Sequence, residues 1–375
     1  IPAGSFSGGA GSTAVQYLEV GIIALSAEVA VDGDYLGTGN VLGQSGPVGR
    51  FTPADFLVEV REPGMYEVTC GSTFSYVGEA FGYAMEPMLN ITARNADEDP
   101  TKNYRGNFIK LGGAGVVVTA PPSDATAIGD VSGTTDVAVT AALNTGAVAD
   151  DGDGDALSNG VIVYTFDSGD SYTYDKVPNA RIDKFNADLP ITVNDVTDDD
   201  GVTNGNLPSP NPFTPTGAEI RFGQLSLQNT FGPETEDLTV SLRAEYFNGD
   251  RYTLNTVDGC TPLSMTGDAN HARVQLDDNG TWVRADQAVD LADGSGGTTE
   301  GTGITGLAGG VGALTLAAPG VGNTGFASVR TDLTDFPWLR GDWNDDGNYD
   351  DFPAARATFG VFRGHDRVIY WREAQ

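Results

Sequence analysis

The sequence predicts an all-β protein built from two or three antiparallel β-sandwich domains, immunoglobulin-like or jelly-roll-like, with Gly- and Pro-rich loops. Three observations predict this. Apolar residues alternate with polar ones at a period of two, the pattern of strands with one buried face. Turn dipeptides of the Asn-Gly type, which supply the positive φ of tight hairpins, punctuate these segments. The 375 residues include 51 Gly and 19 Pro, and no long segment combines a 3.6-residue apolar period with helix caps.

In chain order, Ile23, Leu25, Ala27 and Val29 alternate with Ala24, Ser26 and Glu28, predicting a half-buried antiparallel strand. Ser168-Gly169 separates the strand-like residues 161–166 from 172–174, predicting a hairpin. Leu238, Val240, Leu242, Ala244 and Tyr246 share one face of a strand, with Thr239, Ser241, Arg243 and Glu245 on the other. Asn248-Gly249 then turns residues 244–247 back on 252–254, and Asp278-Asn279-Gly280 turns 272–276 back on 281–284. Residues 301–329 carry no charge, but their glycines and Pro319 suit loops and short strands better than a membrane span. Three regions follow: 1–120, an N-terminal sandwich ending at Ala120-Pro121-Pro122-Ser123; 121–215, a middle β domain or insertion ending in a semi-extended Pro-rich connector at 207–215; and 216–375, a C-terminal β domain with an acidic loop.

Composition narrows the function classes. Net charge is −32, from 52 acidic and 20 basic residues. That excludes phosphate-backbone binding and docking on an anionic membrane, both of which need clustered Lys and Arg. It suits bound cations and a solubilised surface. No signal peptide is visible at Ile1, as expected of a mature product or a piece of a longer precursor. The two cysteines, Cys70 and Cys260, permit one disulfide, worth about 3–5 kcal/mol for so long a loop, or two separate buried thiols.

The densest chemistry lies in residues 342–351 (DWNDDGNYDD). Counting Asp342 as position one, Asn344 stands at three, Asp346 at five, Asn348 at seven and Asp350 at nine, with Gly347 at the sharp turn. Like charges packed this closely call for a cation, and a hard oxygen-ligated ion such as calcium is expected, with Asp350 or Asp351 supplying the late ligand. Position twelve is Pro353 rather than the bidentate Glu of an EF-hand. A weaker metal candidate combines Asp151, Asp153 and Asp155 with Asn159, and Asp198-Asp199-Asp200-Gly201 reads as a solvated turn. Trp338, Trp343, Tyr370 and Trp371 suit core packing around the acidic loop, with sugar stacking the other reading. His271 and His365 read as surface histidines. No Lys-bearing phosphate loop, HExxH or CxxC occurs, so no enzymatic activity is expected.

Several segments resemble the C-terminal region of MshQ-type proteins, large exported proteins encoded with mannose-sensitive haemagglutinin pilus genes. The strongest are 219–232 (EIRFGQLSLQNTFG), 242–249 (LRAEYFNG) and 254–261 (LNTVDGCT), then 338–342 (WLRGD), 355–364 (ARATFGVFRG) and 367–373 (RVIYWRE). Residues 17–21 (YLEVG), 34–37 (DYLG) and 49–56 (GRFTPADF) match more weakly. The resemblance implies a cell-surface or pilus-associated role without catalysis. Combined with the acidic loop, it leads to the expectation of an extracellular structural subunit stabilised by calcium, self-assembling as a homopolymer or joining a pilus-associated partner. Strand addition by the polar, Gly-rich residues 1–16 is one route to assembly. The alternative is a calcium-dependent adhesin or carbohydrate-binding module.

Overall fold

The computed structural model describes residues 6–28, 39, 41–70, 73–119, 137–150, 159–176 and 181–361. These are almost entirely strands and loops, and the helical segments are 3-10 turns such as Gly106–Phe108 and Pro337–Leu339. No described helix is long and apolar enough to cross a membrane. The strands gather round two hydrophobic cores.

The first core is closed on one side by a four-stranded antiparallel sheet in the order Ala147–Asp150, Val161–Thr165, Met88–Arg94, Asp55–Glu62. Its inner face supplies Phe56, Val58, Leu89, Ile91 and Ile162. Facing them are residues of smaller sheets: Val139, Tyr172 and Tyr174 from Val139–Ala142 and Ser171–Tyr174, and Val193 and Val196 from Thr192–Val196. Strands from both sides of residue 120 thus share sheets and one core, so 121–215 forms no core of its own. The Pro-rich stretch is not a semi-extended connector: it bends at residues 209–212, with cis peptides before Pro210 and Pro212, and it is pinned rather than free. Phe213 is buried, Ile191 and Phe213 exchange backbone hydrogen bonds, and the Asn211 carboxamide bonds both the amide and the carbonyl of Val193.

The second core lies between two sheets, a β-sandwich. One sheet runs Gly223–Leu227, Leu238–Phe247, Val311–Leu316, Gly301–Ala308. The other runs Thr230–Gly232, Ala354–Phe359, Gly325–Asp332, Ala272–Asp278, Leu263–Ser264. Leu238, Val240, Leu242 and Ala244 all point inward, as the alternation predicts, against Val274, Leu276, Val329 and Ala357 of the facing sheet. Each of the valines and leucines contributes about 1.5–3 kcal/mol on full burial.

The turns at 248–249 and 278–280 form hairpins. Glu245 pairs with Leu254, and Asp278 with Thr281. Asn279 and Gly280 both hold positive φ, at 51° and 88°, as a two-residue hairpin loop demands. The Ser168-Gly169 turn does not make a hairpin. Val161–Thr165 pairs with Met88–Arg94 and Ala147–Asp150, whereas Ser171–Tyr174 pairs with Val139–Ala142 and Ala80–Phe81. The turn carries the chain from one sheet to the other, because both flanking strands have inward faces that must meet across the core. The N-terminal strand also differs from expectation. Gly21–Glu28 pairs antiparallel with Leu42–Phe51, but the ribbon packs on nothing among the described residues beyond its base, and Ile22, Leu25 and Leu42 are 58%, 44% and 63% exposed. Val29 lies outside the described residues.

The acidic loop and the junction between the two units

The two units meet along a short parallel pairing, Glu219–Arg221 against Phe74–Tyr76. This places Cys70, Phe74 and Tyr76, from the first unit, inside the second core. Cys70 and Cys260 are joined in a disulfide with Cα atoms 5.4 Å apart, across 190 residues of sequence. Beside it sits Asp258, fully buried. Its Oδ1 accepts the amides of Cys260 and Thr261, both at 3.2 Å. Its Oδ2 accepts the Tyr76 hydroxyl at 2.6 Å and the Thr261 hydroxyl at 3.1 Å. Tyr76 in turn accepts from Asn255 Nδ2 at 2.8 Å. Burial, and then the Asp258 charge, push the Tyr76 phenol well above its ordinary range, so it stays a donor. Arg221 lies between the Phe74 and Tyr246 rings, 4.6 Å from each centroid. Cys70, Asp258 and Cys260 would suit a metal only as thiolates, and the disulfide consumes both sulfurs.

A second pin is Lys176. Its Nζ donates to the carbonyls of Gly223 at 3.0 Å, Trp338 at 2.8 Å and Arg340 at 2.7 Å. A lysine of the first unit thereby satisfies three carbonyls of the second. Burial, and then the nearby Arg340 guanidinium, push its ammonium down to about 7. The Phe222 ring lies 4.7 Å from Nζ.

Trp338 and Arg340 lead straight into the acidic loop, which the backbone closes by a bridge between Gly341 and Asp351. The loop is folded by its own side chains. Asp342 accepts the amides of Asp346 and Gly347, both at 3.1 Å. Asn344 Oδ1 accepts the Asp346 amide at 2.9 Å, and Asp346 Oδ1 the Asn348 amide at 2.8 Å. Asp351 Oδ2 accepts the amides of Trp343 and Asn344. Asn344 Nδ2 reaches Asp346 at 3.1 Å and Asp351 at 3.4 Å. Asp345 and Gly347 supply the positive φ that turns the chain. Asp342, Asn344, Asp346 and Asp351 therefore face one another, and Asn348 contributes its amide to the turn. Asp350 departs from this group and lines a cleft at the junction. Oxygen donors are the type a hard divalent cation takes, but among the described residues no three acidic residues of the loop bring a carboxylate oxygen each within 4.8 Å of one another. Tyr349 anchors the loop on Phe222, with ring centroids 5.2 Å apart.

Of the weaker metal candidate, Asp151, Asp153 and Asp155 lie outside the described residues. Asn159 accepts the Val161 amide at 2.9 Å. Asp198, read as part of a solvated turn, is buried. Its carboxylate accepts the amides of Asp200 and Val202 and the Tyr104 hydroxyl, which offset its loss of water. His271 Nδ1 lies 2.9 Å from the Ala269 carbonyl at the surface; His365, Tyr370 and Trp371 lie outside the described residues. Trp338 packs on Phe336, and Trp343 remains 42% exposed. Sequence reasoning missed Lys176, Asp258 and Tyr76. The signal available was the cysteine pair: a crosslink between the first and last regions would make residues beside Cys70 and Cys260 junction residues.

No curated protein matches the chain. Among solved structures, the I9–I11 tandem of titin aligns at 7% identity with a TM-score of 0.27, over 81% of this chain and 66% of the titin chain. The D00–D0 domain of intimin aligns at 9% identity with a TM-score of 0.19, over 81% of this chain and 99% of that one. Similarity this low carries no argument about function. The family comparison is more direct: residues 19–212 match the third domain of DUF6701 and residues 221–374 match its fourth. The break between the matches falls where the chain passes from the first core to the second, and the chain belongs to the DUF6701 family, of which it carries these two domains.

Proposed function

We propose that the chain is a non-catalytic structural subunit of an extracellular, cell-surface filament or pilus-associated fibre, with calcium held by the acidic loop. The observation that carries this reading is the ribbon formed by Gly21–Glu28 and Leu42–Phe51. Among the described residues it offers apolar side chains on open faces and backbone groups on open edges, which a monomer avoids and an assembling subunit uses. The expected arm at residues 1–16 is in part folded on itself, since Phe6–Ser7 pairs with Ala10–Gly11 round Gly8-Gly9, and the exposed residues 12–16 link this small hairpin to the ribbon. The resemblance to MshQ-type proteins supports the surface setting, and a disulfide suits an oxidising compartment.

The test is negative-stain microscopy of the purified chain, in calcium and in chelator. Regular filaments or end-to-end chains are expected in calcium, and their loss on replacing Ile22, Leu25 and Leu42 together by Ser. A chain that stays monomeric at high concentration in both conditions ends the reading. The exposed Trp343 beside the loop favours a second reading, a calcium-dependent adhesin, for which attachment rather than assembly would be abolished by chelator.

A further inference from the structure

The cleft at the junction exists only because the two units dock. It is an open cleft of about 360 Å³, within the volume range of small-ligand sites, which favour domain interfaces. The first unit contributes Asp175 and Lys176, and the second contributes Trp338, Arg340, Tyr349 and Asp350. Gly78 sets the close approach: a Cβ there would lie 3.1 Å from the Lys176 Cβ and 3.3 Å from the Trp338 Cβ.

The side chains left unsatisfied in this cleft define what it can take. Lys176 has spent its three hydrogens on three carbonyls. Arg340 has no carboxylate partner among the described residues, and its guanidinium packs over the Phe352 ring, 5.0 Å from the centroid. Asp350 is exposed at the mouth, and its carboxylate makes no hydrogen bond among the described residues. Asp175 uses Oδ1 to accept the Thr140 hydroxyl at 3.1 Å, leaving Oδ2. The cleft is therefore lined by the Arg340 side chain, two carboxylates with oxygens to spare and two aromatic side chains. An anion would meet Asp175 and Asp350 within a chain of net charge −32, and a cation would meet Arg340 and Lys176. A neutral ligand that both donates and accepts at several points, with C–H faces to lie on Trp338 or Tyr349, satisfies all of them.

We infer that the cleft between the two units binds a neutral saccharide, whose hydroxyls accept from Arg340 and donate to Asp175 and Asp350 while an aromatic ring supports its apolar face. This stands apart from the filament reading and needs no metal.

Saturation-transfer NMR of the full chain tests it, with glucose, galactose, N-acetylglucosamine and their di- to tetrasaccharides as probes, in calcium and in chelator. A saturable signal is expected for at least one probe in both conditions. Asp175→Ala and Arg340→Met should each weaken binding about tenfold or more, with a melting temperature close to that of the parent, while the remote His271→Ala binds unchanged. No saturable binding by any probe, or binding that survives both cleft variants, overturns the inference. Binding seen only in calcium and insensitive to both variants also overturns it. A chain that forms no filaments leaves it untouched.

Discussion

Asp258 is buried and Lys176 half-buried at the junction, and each takes partners from the opposite unit, Asp258 the Tyr76 hydroxyl and Lys176 three carbonyls. For Lys176 the pH consequence has a definite sign. Its folded pKa, near 7, lies below the ordinary lysine range. Between those values the unfolded chain binds the extra proton, so native stability rises with pH from about 7 toward the ordinary range. The three carbonyl oxygens favour the ammonium and limit the gain to a few kcal/mol at most. Urea midpoints taken across this window should climb in the parent and lose that part of the climb in Lys176→Met; identical slopes would discard this account of the lysine. For Asp258, Tyr76→Phe removes its shortest donor and leaves the Asn255 amide without its acceptor. Denaturation should show a loss of about 2–3 kcal/mol, and a neutral substitution would mean that water replaces the hydroxyl.

The acidic loop is an element whose fold is encoded in its spacing. Alternate Asp and Asn side chains bend back onto amides two to five residues ahead, so the turn forms without a helix on either side. Calorimetry of the chelated chain should show calcium binding and a raised melting temperature. Asp342→Ala should abolish both, and cost only about 1 kcal/mol in chelator, because the amides it frees are exposed to water. A melting temperature indifferent to calcium would remove the metal from the picture. This spacing was legible in the sequence because each contact is local. So was the strand from Leu238 to Ala244, since alternation over a single buried face has one solution. The Ser168-Gly169 turn was misread because the same turn residues serve a hairpin and a crossing between sheets, and nothing local states which sheet the next strand will join. The alternation at Ile23, Leu25 and Ala27 was read as half-buried because a sequence records an apolar face without recording whether anything covers it. Asp350 was counted with its neighbours by spacing alone, and only the junction shows that it turns outward. Lys176 carries no signal at all: a lysine in a polar stretch looks like any exposed lysine until a second unit brings carbonyls to it.

The whole molecule is two cores fastened at one seam. The parallel pairing, the Asp258 network, the Lys176 pin and the disulfide lie along it, so the units are expected to unfold as one cooperative body. Replacing Cys70 and Cys260 together by Ser should cost about 3–5 kcal/mol and separate the calorimetric transition into two, one for each core. A single unshifted transition would mean that the seam holds without its covalent link.

That link has a consequence for how the chain reaches its final form. Within these 375 residues Cys70 has no other thiol to choose, and its partner emerges from synthesis only after 190 further residues. Most of the earlier strands can therefore find their neighbours before the bond is available. The bond therefore closes on strands of the first core that have already met, and among these residues a wrong oxidation is one that joins two molecules.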